Sequence, residues 1–214
     1  MTRLLFVRHG ETDHNVAGKI CTHTDEARLS EQGLIQARML AARLLGVSIT
    51  AVYSSPMTRA VQTASAIAER RGLSVLISED LRELSAGELD GRSDPAAFDA
   101  LNAALDAWCM GDDTVRIGQR GDVGKDVIGR LAAVTAHITS CHEGQTVVLV
   151  SHGGLLQIGL PWICSNLGPN YGLRRHIANS SVIEIESGTE IRCVAWADAW
   201  LCPDTPAVLS KDVQ

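Results

Sequence analysis

Two histidines in this chain each follow a short apolar run and precede glycine. His9 stands in Arg8-His9-Gly10-Glu11-Thr12 after residues 3–7 (RLLFV), and His152 in Ser151-His152-Gly153-Gly154 after residues 146–150 (TVVLV). Arg59 and Glu83 follow two further apolar stretches, at 51–54 and 75–77. Together these side chains imply a definite chemistry. Guanidinium forks match the oxygens of a phosphate. A neutral imidazole held in one tautomer is a nucleophile toward phosphorus. A carboxylic acid nearby can protonate a departing alkoxide. The set is that of a phosphoryl-transfer site built without a metal. His9, His14 and His23 lie close in sequence, but their spacing fits no usual ligand pattern, and Arg8 would repel a dication. No metal and no other cofactor is expected. His137 and His142, at the end of a long helical pattern, read as surface residues favoured by the helix dipole.

Such residues meet only if the fold brings their strand ends together. Residues 3–7, 51–54, 75–77 and 146–150 read as strands, the last apolar and β-branched as for a strand covered on both faces. Ser30 reads as the N-cap of a helix ending near Gly46, and Pro56 as the opening of another that Gly72 terminates. Asp94-Pro95 is a cap and first-turn pair for a helix over about 96–109. Residues 111–124, rich in Gly, Asp and Arg, read as a mobile connection, followed by a long helix to about His142. A helix over 155–165 and a hairpin of 180–185 with 191–196 complete the pattern. Strands alternating with helices predict an α/β fold: a three-layer, doubly wound, mostly parallel sheet with helices on both faces and a small helical cap insertion. A ligand in such a sheet lies beyond the carboxyl ends of the strands, where all these residues stand. A single domain is expected over 1–202, with the cap insertion at 93–120 and a flexible tail at 203–214.

Composition narrows the partners. With 19 basic against 25 acidic residues the net charge is −6, which argues against nucleic acid and anionic membrane as partners. The 45% apolar and 21% charged content excludes a disordered chain, and only 4% aromatic residues leaves little for base-stacking platforms. No apolar run approaches the ~18 residues of a membrane span. The start of the chain runs directly into a strand without a leader pattern, so a cytoplasmic protein is expected. Six cysteines, at 21, 109, 141, 164, 193 and 202, form no Cys-x-x-Cys pair and read as reduced, mostly buried thiols.

Leu5-Phe6-Val7-Arg8-His9-Gly10-Glu11-Thr12-Asp13-His14-Asn15 resembles the signature of the histidine phosphatase superfamily, which includes the phosphoglycerate mutases. The likeness continues in order along the chain: Leu29-Ser30-Glu31-Gln32-Gly33 with Gln36-Ala37, Ser54-Ser55-Pro56 with Arg59-Ala60 and Gln62-Thr63-Ala64, Leu81-Arg82-Glu83 with Gly87 and Gly91, Val150-Ser151-His152-Gly153-Gly154, and Asn179-Ser180-Ser181-Val182. The resemblance implies roles. His9 would be the nucleophile that becomes phosphohistidine and Glu83 the proton donor. Arg8, Arg59 and His152 would hold the phosphoryl oxygens, with Asn15, Thr22 and Gly153 as further contacts. Gly121-Asp122-Val123 stands where many members have Gly-Glu-Ser.

Cofactor-dependent mutases of this family carry a longer insertion whose extra basic residues hold a bisphosphate. Here the insertion offers Arg116 and Arg120, with Arg92 at its edge, opposed by Asp94, Asp99, Asp106, Asp112 and Asp113. A phosphatase acting on a small phosphorylated metabolite is therefore expected. A mutase-type phosphoryl transferase and a non-catalytic phospho-ligand binder are the alternatives. Leu101, Leu105, Trp108 and Met110 would either line the substrate pocket or pack the inserted helix onto the body.

Overall fold

The computed structural model describes residues 1–23, 27–173, 175–197 and 199–201. In chain order the elements are β1 (Thr2–Arg8), α1 (Asp13–Val16), α2 (Glu31–Arg43), β2 (Ile49–Ser54), α3 (Thr58–Glu69), β3 (Val75–Ile77), α4 (Pro95–Cys109), α5 (Gly124–Cys141), β4 (Thr146–Ser151), α6 (Gly153–Ile163), β5 (Val182–Ser187), β6 (Ile191–Trp196) and β7 (Ala199–Trp200). Short 3-10 turns at Glu79–Leu81, Gly87–Leu89 and Pro169–Gly172 join them. The strands form one sheet in the order β3-β2-β4-β1-β5-β6-β7. The first four of that order run parallel, and β5, β6 and β7 add antiparallel beyond β1. The α/β class and the helices on both faces are as expected. The tail expected at 203–214 lies outside the described residues.

β1 and β4 are central, and both faces of each are apolar. Leu5, Val7, Val148 and Val150 enter the core beneath α2 and α3, whereas Leu4, Phe6, Val147 and Leu149 enter the core beneath α4, α5 and α6. The two strands pair in parallel from Arg3 beside Thr146 to Arg8 beside Ser151. After β1 the chain turns toward the α2 face, and after β4 it turns into α6 on the other face. The crevice between those departures is where a doubly wound sheet takes its ligand.

Local chemistry sets the turns. The Ser30 hydroxyl caps α2, accepting from the Gly33 N–H at 3.0 Å, and donates to Glu11 Oε1 at 2.8 Å. A Cβ on Gly33 would lie 2.0 Å from the Glu11 carbonyl oxygen, so glycine is what lets the first turn of α2 close on the loop after His9. Asp94 caps α4 and Pro95 opens it, as expected. α3 begins two residues later than Pro56, at Thr58. The bend before it is used instead, with the Met57 N–H donating to Ser55 Oγ.

The insertion differs from its expected character. Residues 111–124 are fastened rather than loose. Glu88 accepts from the backbone N–H of Gln119 and Arg120 at 2.6 and 3.0 Å. Asp122 exchanges backbone bonds with Ser85 and Ile117, and Ile117 is fully buried. Trp108 is also fully buried, its indole N–H on the Val115 carbonyl at 2.8 Å and its ring against Gly124. Trp108 therefore packs α4 onto the body, and Met110 is 73% exposed. Among the cysteines, Cys109, Cys164 and Cys193 are buried free thiols, with burial pushing Cys109 up to about 11 and Cys164 to about 12. Cys21 is half-buried and Cys141 exposed, so three of the five described cysteines are buried, as expected, and Cys202 lies outside the described residues. Among the described residues no helix is long and apolar enough to cross a membrane.

Candidate active site

His9 leaves the end of β1 with its backbone N–H on the Ser151 carbonyl, at 3.0 Å. The last residues of β1 and β4 are thereby tied, and the imidazoles of His9 and His152 stand edge to face, 5.2 Å between centroids. His9 is 4% exposed and its Nδ1 lies 2.7 Å from the Gly10 carbonyl oxygen. A carbonyl only accepts, so Nδ1 carries the proton and Nε2 keeps the lone pair. That lone pair accepts from Arg59 Nε at 3.2 Å. Burial first, then the Arg59 and Arg8 charges, hold His9 well below its ordinary pKa, with the Gly10 bond opposing. The ring is a neutral, oriented base.

Arg59 comes from the first turn of α3 and is almost wholly buried. Its Nη2 donates to the Cys21 carbonyl and to Met57 Sδ, both at 3.3 Å. Arg8 donates through Nη1 to the Ile177 carbonyl at 2.5 Å and to His176 Nε2 at 3.0 Å. Its Nε is buried without a hydrogen-bond partner. Burial pulls the Arg8 pKa down, Glu83 opposing and Arg59 adding.

His152 is fully buried at the N-terminus of α6. Ser55 Oγ accepts from the Met57 N–H and lies 2.7 Å from His152 Nε2, within hydrogen-bond reach of that nitrogen. Nδ1 of His152 is buried with no hydrogen-bond partner among the described residues. Burial leads, and His9 and the arginines add, in holding this ring well below its ordinary pKa. Glu83, half-buried, is fixed at the same helix end. Oε1 accepts from the N–H of Leu84 at 3.0 Å and Leu155 at 2.7 Å, and Oε2 from Gly154 at 2.9 Å.

Gly153 lies so near Arg8 that a Cβ there would stand 3.1 Å from Nε. Asn15 is exposed and closes a capping box with Thr12, and its Oδ1 also accepts from Asn179 Nδ2 at 3.3 Å. Thr22 is placed otherwise than its expected phosphate contact requires. Its hydroxyl proton goes to Asp90 Oδ1 at 2.9 Å, and its oxygen accepts from the Ala86 N–H at 2.9 Å. Thr22 thus fastens the loop that presents the Cys21 carbonyl to Arg59 and has no proton left for a ligand. Among the described residues no group of three or more His, Cys, Asp or Glu side chains could hold a metal ion.

Residues 4–199 match the histidine phosphatase superfamily, branch 1. The chain belongs to the histidine phosphatase superfamily. It is 28% identical to a putative phosphoserine phosphatase of Hydrogenobacter thermophilus over 86% of this chain and 89% of that one. It is 32% identical to a probable phosphoglycerate mutase of Erwinia tasmaniensis over 87% of this chain and 85% of that one. Among solved structures, a mycobacterial glucosyl-3-phosphoglycerate phosphatase in complex with VO3 superposes with a TM-score of 0.79 at 29% identity, covering 92% of this chain and 99% of that one. A phosphoserine phosphatase variant of Entamoeba histolytica in complex with phosphoserine gives 0.77 at 26% identity, covering 92% and 97%. With these neighbours the chain is an enzyme, a histidine phosphatase.

Sequence reasoning overlooked four groups of this site. Ser55, which orients His152, stands directly after β2 and the strand-end rule would have found it. Asn179 Nδ2 donates to the His9 carbonyl at 3.0 Å. The Cys21 carbonyl acts as backbone, so its residue type carried no signal. His176 lies in an irregular segment far along the chain, and nothing in its surroundings points to Arg8.

Proposed function

We propose that this histidine phosphatase hydrolyses a small-molecule phosphate monoester through a phosphohistidine on His9, without a metal ion, in the cytoplasm. The observation that carries this reading is the His9 ring itself: Nδ1 is pinned by the Gly10 carbonyl, and the Nε2 lone pair is aimed at the Arg59 guanidinium. A phosphoryl group gripped by Arg59 meets that lone pair in line. Nε2 attacks phosphorus, the ester P–O bond breaks, and Glu83 gives its proton to the leaving oxygen. Arg8, Arg59 and His152 offset the charge on the phosphoryl oxygens. The backbone at Gly153, opening α6, and the Asn15 amide are further donors on the same side. Glu83 then takes a proton from water as that water attacks phosphorus, the P–N bond breaks, and inorganic phosphate leaves.

Two observations favour hydrolysis of a monoester over transfer through a bisphosphate. Arg92 is paired with Asp94 by bonds of 2.7 and 2.8 Å, and Arg116 Nη1 donates to the Gly121 carbonyl at 2.6 Å. These insertion cations are engaged with the loop itself. The phosphoserine and 3-phosphoglyceric acid bound by structural neighbours fit the monoester class.

Rapid quench during turnover should trap acid-labile, base-stable phosphate on His9, and His9→Ala should fold without turnover. EDTA should leave the rate intact. Label on another residue, or activity restored only by added metal, would sink the reading.

A further inference from the structure

The segment between α6 and β5 touches the site at several points. Ile177 and His176 both accept from Arg8 Nη1, Asn179 donates to the His9 carbonyl, and the Ser180 N–H donates to the Arg8 carbonyl at 3.0 Å. The Ile177 and Ser180 contacts are backbone contacts that any residue could make, and the Asn179 amide reaches the His9 backbone. His176 is different, because its side chain reaches an arginine of the phosphate site and no mechanistic step uses it.

We propose that His176 is a positioning residue: its neutral Nε2 accepts the Arg8 Nη1–H and, with the Ile177 carbonyl, turns the opposite edge of the guanidinium toward the phosphate. This rests on the phosphatase reading of the site. Both acceptors sit on Nη1, so the anchored side of the fork is the one away from Nε. Nε is buried without a partner, directly over Gly153, where a side chain could not fit without pressing on it. An arginine uses its Nε and Nη2 edge to bind an oxyanion with two parallel bonds, provided the far nitrogen is held. A single carbonyl acceptor leaves the plane free to rotate about that bond, and a second acceptor fixes it.

The acceptor exists only while the imidazole is neutral. Burial and then the Arg8 charge set the His176 pKa below its ordinary value, so the ring is neutral at pH 7. Among the described residues the charges around it are few. Arg8 faces it from β1, and Arg175, its neighbour in sequence, is stacked over the Tyr171 ring at 4.3 Å. Arg59 and Glu83 act on the Arg8 charge. The sign follows. Above the His176 pKa the Arg8 anchor is complete. As pH falls through that value, on the acid side of 6.5, protonation removes the acceptor and sets a second cation against Arg8. Phosphate affinity should therefore weaken on that side.

The test compares competitive inhibition by inorganic phosphate between pH 5 and 8 in the wild-type enzyme, His176→Gln and His176→Leu, with p-nitrophenyl phosphate as substrate. Ionisation of phosphate itself is common to all three and cancels in the ratios. Glutamine keeps an acceptor that does not titrate. It should match wild type at pH 7 and bind more tightly than wild type at pH 5, by about three- to tenfold, the size of one net hydrogen bond. Leucine should raise Ki and KM about three- to tenfold at pH 7, with kcat changed far less and no added pH dependence. Equal Ki values in all three proteins across the range overturn the proposal. So does wild type binding more tightly than His176→Gln at pH 5, which would make His176 a cationic contact. An enzyme with no turnover and no phosphate affinity in the wild type would instead remove the phosphatase reading, and the positioning role with it.

Discussion

Arg59 Nε stands 3.2 Å from His9 Nε2, so the guanidinium proposed to grip the phosphoryl group also donates to the lone pair of the proposed nucleophile. One guanidinium both orients the base and, with burial, keeps it unprotonated. The acid limb of kcat/KM should accordingly lie well below pH 6.5, since His9 loses activity only when pH falls through its depressed pKa. Arg59→Met keeps the volume and removes the charge. Its acid limb should move upward toward 6.5, and its rate at pH 7 should fall by about 10²–10³, the loss seen when one preorganised donor is removed. A pH profile that keeps the wild-type limb would refute the coupling.

Glu83 is the carboxylate held at the α6 terminus, whereas the other two nearby candidates are used elsewhere. Glu11 accepts from Ser30 at the start of α2. Glu88 is tied to the insertion, and the backbone N–H groups of Gln119 and Arg120 hold its carboxyl below the ordinary range. Glu83→Gln should slow hydrolysis of an alkyl phosphate roughly 10²–10⁴-fold and of p-nitrophenyl phosphate little, because only the alkoxide needs the proton. Equal losses on both substrates would reduce Glu83 to an orienting group.

Gly154 tests the support of that acid. A Cβ there would sit 2.8 Å from Leu84 Cδ2 and 2.9 Å from Glu83 Oε1. Gly154→Ala should cost about 1–3 kcal/mol from overpacking, and push Glu83 off its backbone donors. Thermal unfolding measures the first effect. The second should reproduce the leaving-group dependence of Glu83→Gln, and a variant with wild-type alkyl phosphatase activity would contradict it.

Trp108 should act on stability rather than on substrate choice. Replacing this fully buried ring with alanine should cost ~3–5 kcal/mol and lower Tm by roughly 10 °C. At a temperature where the variant is folded, KM for alkyl and aryl phosphates should change alike. A selective rise for one substrate would place the ring in the binding site after all.

The sheet's central strands were legible because 3–7 and 146–150 are apolar on both faces, as only a strand covered on both sides can be. Ser30 and Asp94 marked helix starts because their side-chain oxygens satisfy first-turn N–H groups. The insertion was misread for a physical reason. Gly, Asp and Arg at 111–124 suggest a loose connection, but Glu88 and Ser85, distant in sequence, take up its backbone bonds.

The sequence by itself determined which candidate groups stand together: Arg8, His9, Arg59, Glu83 and His152 lie at or beyond strand ends, and strand ends meet at one edge of a doubly wound sheet. The tertiary structure alone decided how each is held. The proton of His9 is placed by the Gly10 carbonyl, the His152 ring is contacted by Ser55, Glu83 is held by the N–H groups of α6, and Arg8 by Ile177 and His176. Several of these partners are backbone atoms, which every residue type carries, and others lie far along the chain. A backbone partner leaves no mark in residue type, and a pairing with a distant residue leaves none in spacing, so only the folded arrangement reveals which groups meet.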